Sequence, residues 1–189
     1  MSRLTFYYGT VSAAKSAHLL AAYYAYKAHD KKSAWLLKSS VDTRNGAEMV
    51  WSRVPGLQQK ADLVVHPEED IPLPPAHIQC IFVDEVQFFT PTQVNQLWRA
   101  SLNVPVMCYG LRANYLQQPF PGSARLMLLA ERMIALERVC YHCNHQASQN
   151  LKLQKSGAPQ LKGSGDIELG TEKLYVPVCK WCLHQYKHT

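Results

Sequence analysis

Short apolar runs alternate along this chain with longer stretches in which apolar side chains recur every three or four residues. The short runs lie at 4–8, 34–38, 61–66, 78–83 and 104–109, and their aliphatic and aromatic content predicts strands. Residues 17–29 are rich in Ala, Leu and Tyr and free of Gly and Pro, which predicts a helix; 91–102 and 122–137 read the same way. In the last of these, Leu126, Leu129, Met133 and Leu136 keep helical spacing and define a core-facing stripe. Pro67, Pro72, Pro74 and Pro75 make 67–76 a connector. Strands alternating with helices predict an α/β fold, a mostly parallel sheet flanked by helices.

Two junctions in this pattern carry chemistry. The first strand runs directly into Gly9-Thr10-Val11-Ser12-Ala13-Ala14-Lys15-Ser16, and a helix follows. Strand, loop, Lys-Ser and helix in that order are the context of a Walker A phosphate loop. Backbone N–H groups cradle phosphates, the helix N-terminus adds its positive end, Lys15 reaches the β- and γ-phosphates, and the Ser16 hydroxyl meets Mg²⁺. Ala14 stands where that motif has glycine, so a positive φ there would cost about 1 kcal/mol or more. The second junction ends the 78–83 run in Asp84-Glu85. An acid behind an apolar run is the Walker B pattern: Asp84 would hold Mg²⁺, and Glu85 could take a proton from an attacking hydroxyl. Asp42 and Arg44 fall just past the 34–38 strand, at the end where open α/β sheets bind ligands.

Cysteines add a second unit to this picture. Cys80 and Cys108 sit inside apolar runs and read as buried small hydrophobes. Cys140-x-x-Cys143 and Cys179-x-x-Cys182 are two metal-knuckle pairs, and their four thiolates complete a tetrahedron around a structural zinc with no open position. Redox or disulfide pairs are the competing reading, which a reducing compartment disfavours. His142, His145, His184 and His188 are left as loop and tail residues. Residues 144–178 must close as a loop between the pairs, and their middle, 155–165, is rich in turn formers, as a lid would be. The expected organisation is a nucleotide-binding core, 1–138, and a small C-terminal zinc-binding domain, 139–189.

Charge bears on the choice of partner. The 189 residues carry 20 Lys/Arg against 14 Asp/Glu, a formal +6. Residues 140–189 hold six basic and three acidic side chains, and no run of five like charges occurs anywhere, so no nucleic-acid-binding tail stands out. Four zinc-bound thiolates and the ion would lower the total to about +4. The longest run free of polar residues, 19–26, is too short to span a bilayer, and Lys15 interrupts any N-terminal signal. These features predict a soluble, cytoplasmic protein without nucleic-acid or membrane partners.

Several segments in this order resemble one known family. They are the Walker A-like loop, Lys38-x3-Asp42-x-Arg44, Val83-Asp84-Glu85-Val86-Gln87-Phe88-Phe89, Gly110-Leu111-Arg112, Pro119-Phe120 and Leu129-Ala130-Glu131, followed by the two CxxC pairs with Gly170…Tyr175-Val176-Pro177-Val178 before the second. Over roughly residues 4–186 the chain resembles the zinc-containing thymidine kinases, the bacterial branch most. The resemblance implies a P-loop-type fold and transfer of the γ-phosphoryl of ATP to the 5′-hydroxyl of thymidine, with deoxyuridine as second acceptor. It implies Glu85 as general base, Lys15, Ser16, Asp42, Arg44 and Asp84 around the phosphates and Mg²⁺, and zinc on the four cysteines. Val11, Phe88, Leu111, Tyr115 and Phe120 would enclose the nucleoside. Asp166, Ile167, Glu168, Leu169 and Gly170 would form a lasso segment over the base, with Tyr175 beside it. A homotetramer and feedback inhibition by dTTP are implied too. Ala14, Ala17, Val11 and Asn114-Tyr115 depart from the family's common residues, which bears on rate and base selectivity. The rival readings are a nucleic-acid-binding zinc ribbon and an inactive nucleoside sensor with a vestigial phosphate loop.

Overall fold

Apolar runs of five or six residues must leave water, and in this protein they do so by stacking side by side. The computed structural model describes residues 3–29, 33–44, 46–163 and 174–188. Six strands make the central sheet: β1 (Leu4–Gly9), β2 (Ala34–Ser39), β5 (Leu63–Val65), β6 (Cys80–Asp84), β7 (Val106–Gly110) and β8 (Arg132–Leu136). Their order is β5-β2-β6-β7-β1-β8, and every pairing is parallel. All strand carboxyl ends therefore share one edge, where Gly9, Ser39, Asp84 and Gly110 end their strands.

Helices cover both faces, as a parallel sheet requires. On β2, Leu36 and Leu37 are both fully buried but face opposite sides. Leu36 joins Phe82, Leu19, Leu20 and Tyr23 beneath α1 (Lys15–Lys27). Leu37 joins Val83, Phe6, Val94, Leu97 and Leu126 beneath α2 (Pro91–Ala100) and α3 (Pro121–Leu129). Helix α2 starts on a capping box: Thr90 accepts from the Gln93 N–H, and the Gln93 side chain accepts from the Thr90 N–H.

The 122–137 helix is corrected. Helix α3 stops at Leu129, Ala130 turns extended (φ −69°, ψ 129°), and 132–136 is the edge strand β8. The Glu131 carboxylate accepts the Leu4 N–H at 2.6 Å and the Glu131 N–H donates to the Leu4 carbonyl at 3.1 Å, which turns the chain alongside β1. The open edge of β1 outweighs the helical spacing of Met133 and Leu136, and Met133 ends exposed.

Two smaller sheets complete the architecture. A hairpin, β3 (Met49–Trp51) and β4 (Gln58–Lys60), leans on α1, while β9 (Gln149–Leu153), β10 (Pro159–Gln160) and β11 (Tyr175–Val178) form an antiparallel sheet ordered β10-β9-β11. Helix α4 (Lys180–His188) follows β11, so His184 and His188 lie on a helix and not in a tail. Cys140, Leu151, Val176, Val178, Cys179 and Leu183 make this region's own apolar cluster. Among the described residues, no helix is long and apolar enough to cross a membrane.

Candidate active site

The phosphate-loop segment folds as a sharp turn between β1 and α1. Ser12 (φ 61°) and Ala14 (φ 54°, ψ 29°) both hold left-handed backbone, so Ala14 takes up the strain expected of a non-glycine at that position. A Cβ on Gly9 would lie 2.9 Å from the Leu136 carbonyl oxygen, so contact with β8 demands a glycine there. Ala14 gives α1 no side-chain cap, which leaves first-turn N–H groups free for an anion. Lys15 is buried, and its Nζ donates to the Thr10 carbonyl at 2.8 Å. Burial pushes its pKa down, against the pull of Glu85 and Asp84.

Opposite stand the acids at the end of β6. Ser16 Oγ donates to both Asp84 oxygens, at 3.1 and 3.2 Å, which places the two expected magnesium ligands together. Burial, and then the neighbouring Glu85 charge, raise the Asp84 pKa to about 7. Glu85 opens a short 3₁₀ turn (Val86–Phe88) from left-handed backbone (φ 51°, ψ 42°). Its Oε1 accepts from Arg44 Nη2 at 2.8 Å and its Oε2 from Gln87 Nε2. Arg44 Nε also reaches Asp42 Oδ1 at 2.5 Å, and Asp42 lies 3.6 Å from the buried Lys38 ammonium. Burial works against the Arg44 charge, but Glu85 and Asp42 more than offset it and keep the guanidinium protonated. Gln87 is a further site residue; its Oε1 accepts the Leu111 N–H at 3.0 Å, and a Cβ on Gly110 would sit 2.5 Å from that oxygen.

Lys15, Ser16 and the acids beside them border one cavity of about 1150 Å³, large enough for a nucleotide. Residues 11–16, Asp42, Arg44, Asp84, Glu85, Leu111 and Tyr175 line it. Phe88, Tyr115 and Phe120 are not on its wall. Tyr115 is buried and packs edge-on against Tyr175, with ring centroids 6.1 Å apart, and the buried Lys152 ammonium lies 5.4 and 5.6 Å from the two rings. Asp166, Ile167, Glu168, Leu169 and Gly170 lie outside the described residues.

The four knuckle cysteines converge. Their sulfurs all lie within 4.8 Å of one another, with Cys143 3.6 Å from both Cys179 and Cys182. A zinc tetrahedron with 2.3 Å bonds has edges of about 3.8 Å, so this donor set fits that ion, and nothing but sulfur is needed to close it. His145 Nδ1 lies 3.3 Å from the Cys143 sulfur, the position of an outer-shell partner. The small sheet next to these cysteines also reaches the phosphate loop. Asn150, buried on β9, accepts the Val11 N–H at 2.8 Å and donates to the Ala113 carbonyl at 3.3 Å.

Beyond this geometry, the family model for thymidine kinase matches residues 2–183, nearly the whole chain. The chain belongs to the thymidine kinase family. As a family member it is 35% identical to the thymidine kinase of Chromobacterium violaceum, over 97% of this chain and 99% of the relative. It is 37% identical to that of Enterobacteria phage T4 (95% and 94% covered) and 37% identical to that of Pasteurella multocida (95% of each). Coverage of both partners is nearly complete, so the phosphate-loop core and the cysteine pairs fall inside one shared pattern.

Proposed function

We infer that this protein is an ATP-dependent thymidine kinase that makes dTMP and ADP. The observation that carries the chemistry is the meeting of Lys15, Ser16, Asp84, Glu85 and Arg44 around one cavity, in a chain of this family. A primary alcohol is a poor nucleophile, and Glu85, a carboxylate on the cavity wall, would accept the 5′-hydroxyl proton of thymidine. The freed oxygen attacks the γ-phosphorus, the bond from that phosphorus to the β,γ-bridging oxygen breaks, and ADP carries the electron pair away. Lys15 and the uncapped start of α1 hold the phosphates, while Arg44 and Gln87 aim the Glu85 carboxylate. Magnesium, held by Asp84 and Ser16, would neutralise phosphate charge when bound.

Within this reading Val11, Leu111 and Tyr175 border the nucleoside and Phe88, Tyr115 and Phe120 back its walls; the lasso expected over the base, 166–170, lies outside the described residues. Residues 1–138 act as the kinase core. Residues 139–189 are its zinc-tied cover, and 144–178, the stretch expected to carry the lid, contains β9, β10 and β11. Deoxyuridine as second acceptor, a homotetramer, dTTP feedback and a cytoplasmic location complete the proposal.

The test is turnover and binding in parallel for Glu85→Gln. Turnover should fall about 10²–10⁴-fold, the usual share of a general base, with thymidine still bound. Turnover within twofold of wild type would remove Glu85 from the mechanism.

A further inference from the structure

The hairpin β3–β4 has no part in the chemistry above, yet it is built onto the site. Its base is fixed: Val50 is buried with Leu19, Leu20 and Tyr23, and the Tyr24 hydroxyl on α1 donates to the Gln58 carbonyl at 2.7 Å. Buried Ser52 closes the loop with its N–H on the Leu57 carbonyl at 3.2 Å. The tip beyond, residues 53–56, is exposed and carries Arg53. Arg53 Nη1 donates to Ser12 Oγ at 2.7 Å, across the mouth of the phosphate loop. Arg53, Ser12, Lys15 and Asp84 all line the same cavity.

The charges around that cavity are unequally committed. Arg44 is engaged by two carboxylates, Asp42 and Glu85. Among the described residues no carboxylate pairs with Arg53, whose contact at the loop is one neutral hydroxyl. A guanidinium has five donors in a rigid fork that matches phosphate oxygens, and charge-assisted bonds are roughly twice as strong as neutral ones. A phosphate oxygen beside Ser12 therefore displaces that hydroxyl as partner. The fixed base and exposed tip let Arg53 make the exchange without moving the sheet.

We propose that Arg53 is a phosphate-binding residue: the hairpin delivers it over the phosphate loop onto the polyphosphate of a bound nucleoside triphosphate, beside Lys15. This rests on the kinase reading above and adds a residue and an element to it. Binding of MgATP and MgADP is measured directly by calorimetry on the zinc-loaded protein, for wild type, Arg53→Ala and Arg53→Lys, beside thymidine KM and Tm. Arg53→Ala should weaken both nucleotides about tenfold, the low end for a hydrogen bond to a charged group. Thymidine KM should stay within twofold and Tm should not change. Arg53→Lys should recover part of the loss, because it keeps the charge without the fork.

Equal MgATP affinity in wild type and Arg53→Ala overturns the proposal. So does a loss that lysine does not relieve and that comes with a lower Tm and a matching rise in thymidine KM, since that is a brace and not a phosphate contact. Arg53-dependent MgATP binding without dTMP formation sustains the proposal and removes the thymidine kinase reading instead. A wild type that binds no MgATP overturns both.

Discussion

Ala14 and Glu85 each hold left-handed backbone without being glycine, and both flank the cavity. Strain of this kind costs about 1–2 kcal/mol per residue, and at Glu85 it aims a carboxylate. At Ala14 it has no such return in the structure. Ala14→Gly is therefore expected to raise Tm by about 2–4 °C and to lower the KM for ATP, because the methyl no longer crowds the loop. Unchanged Tm and KM would contradict this. Asp84 yields a pH dependence. Its folded pKa, about 7, exceeds the unfolded value near 3.8, so the native state binds the extra proton between those limits. Without added magnesium, stability should then fall as pH rises from about 4 to 7, and Asp84→Asn should flatten that slope in thermal melts. Lys15, Ser16, Asp84 and Glu85 were legible because a strand boundary gives each a fixed place. Gln87, Asn150 and Arg53 were not, since a lone polar residue has no spacing signal until the fold supplies its partner.

Strands inside the sheet betray themselves by continuous apolar runs, and β1, β2, β6 and β7 were legible for that reason; β5, at one edge and only partly buried, was legible because its run is apolar as well. The opposite edge strand and the hairpin strands were not. β8 is half-exposed and borrowed a helical spacing, while β3 and β4 are three residues long and only Val50 is buried in them. The β9–β11 sheet hides in a polar stretch and meets the core through Asn150 and through Lys152 and Tyr175 packed against Tyr115. Asn150 is its strut to the phosphate loop. Asn150→Leu leaves the Val11 N–H and the Ala113 carbonyl unpaired, which should lower stability by about 1–3 kcal/mol and raise both substrates' KM values. Asn150→Asp keeps the acceptor for Val11 and should be milder. Equal Tm and KM for Asn150→Leu and wild type would remove the strut.

Across the whole molecule, the cysteine site and the reaction site are two ends of one arrangement. Cys140 and Cys179 belong to the apolar cluster that seats β9 and β11, and those strands place Asn150 on the phosphate loop and Tyr175 on the cavity. Removing zinc with a chelator should lower Tm and abolish thymidine phosphorylation, and zinc should restore both. Full activity in metal-free protein would separate the ends. Transfer of a phosphoryl group from ATP to thymidine in this cavity is read by following the label itself. Zinc-loaded protein is given γ-labelled ATP, Mg²⁺ and thymidine, and the products are resolved. Label is expected in dTMP, one for each ADP formed. Label recovered only in ATP, or only as inorganic phosphate, would contradict it.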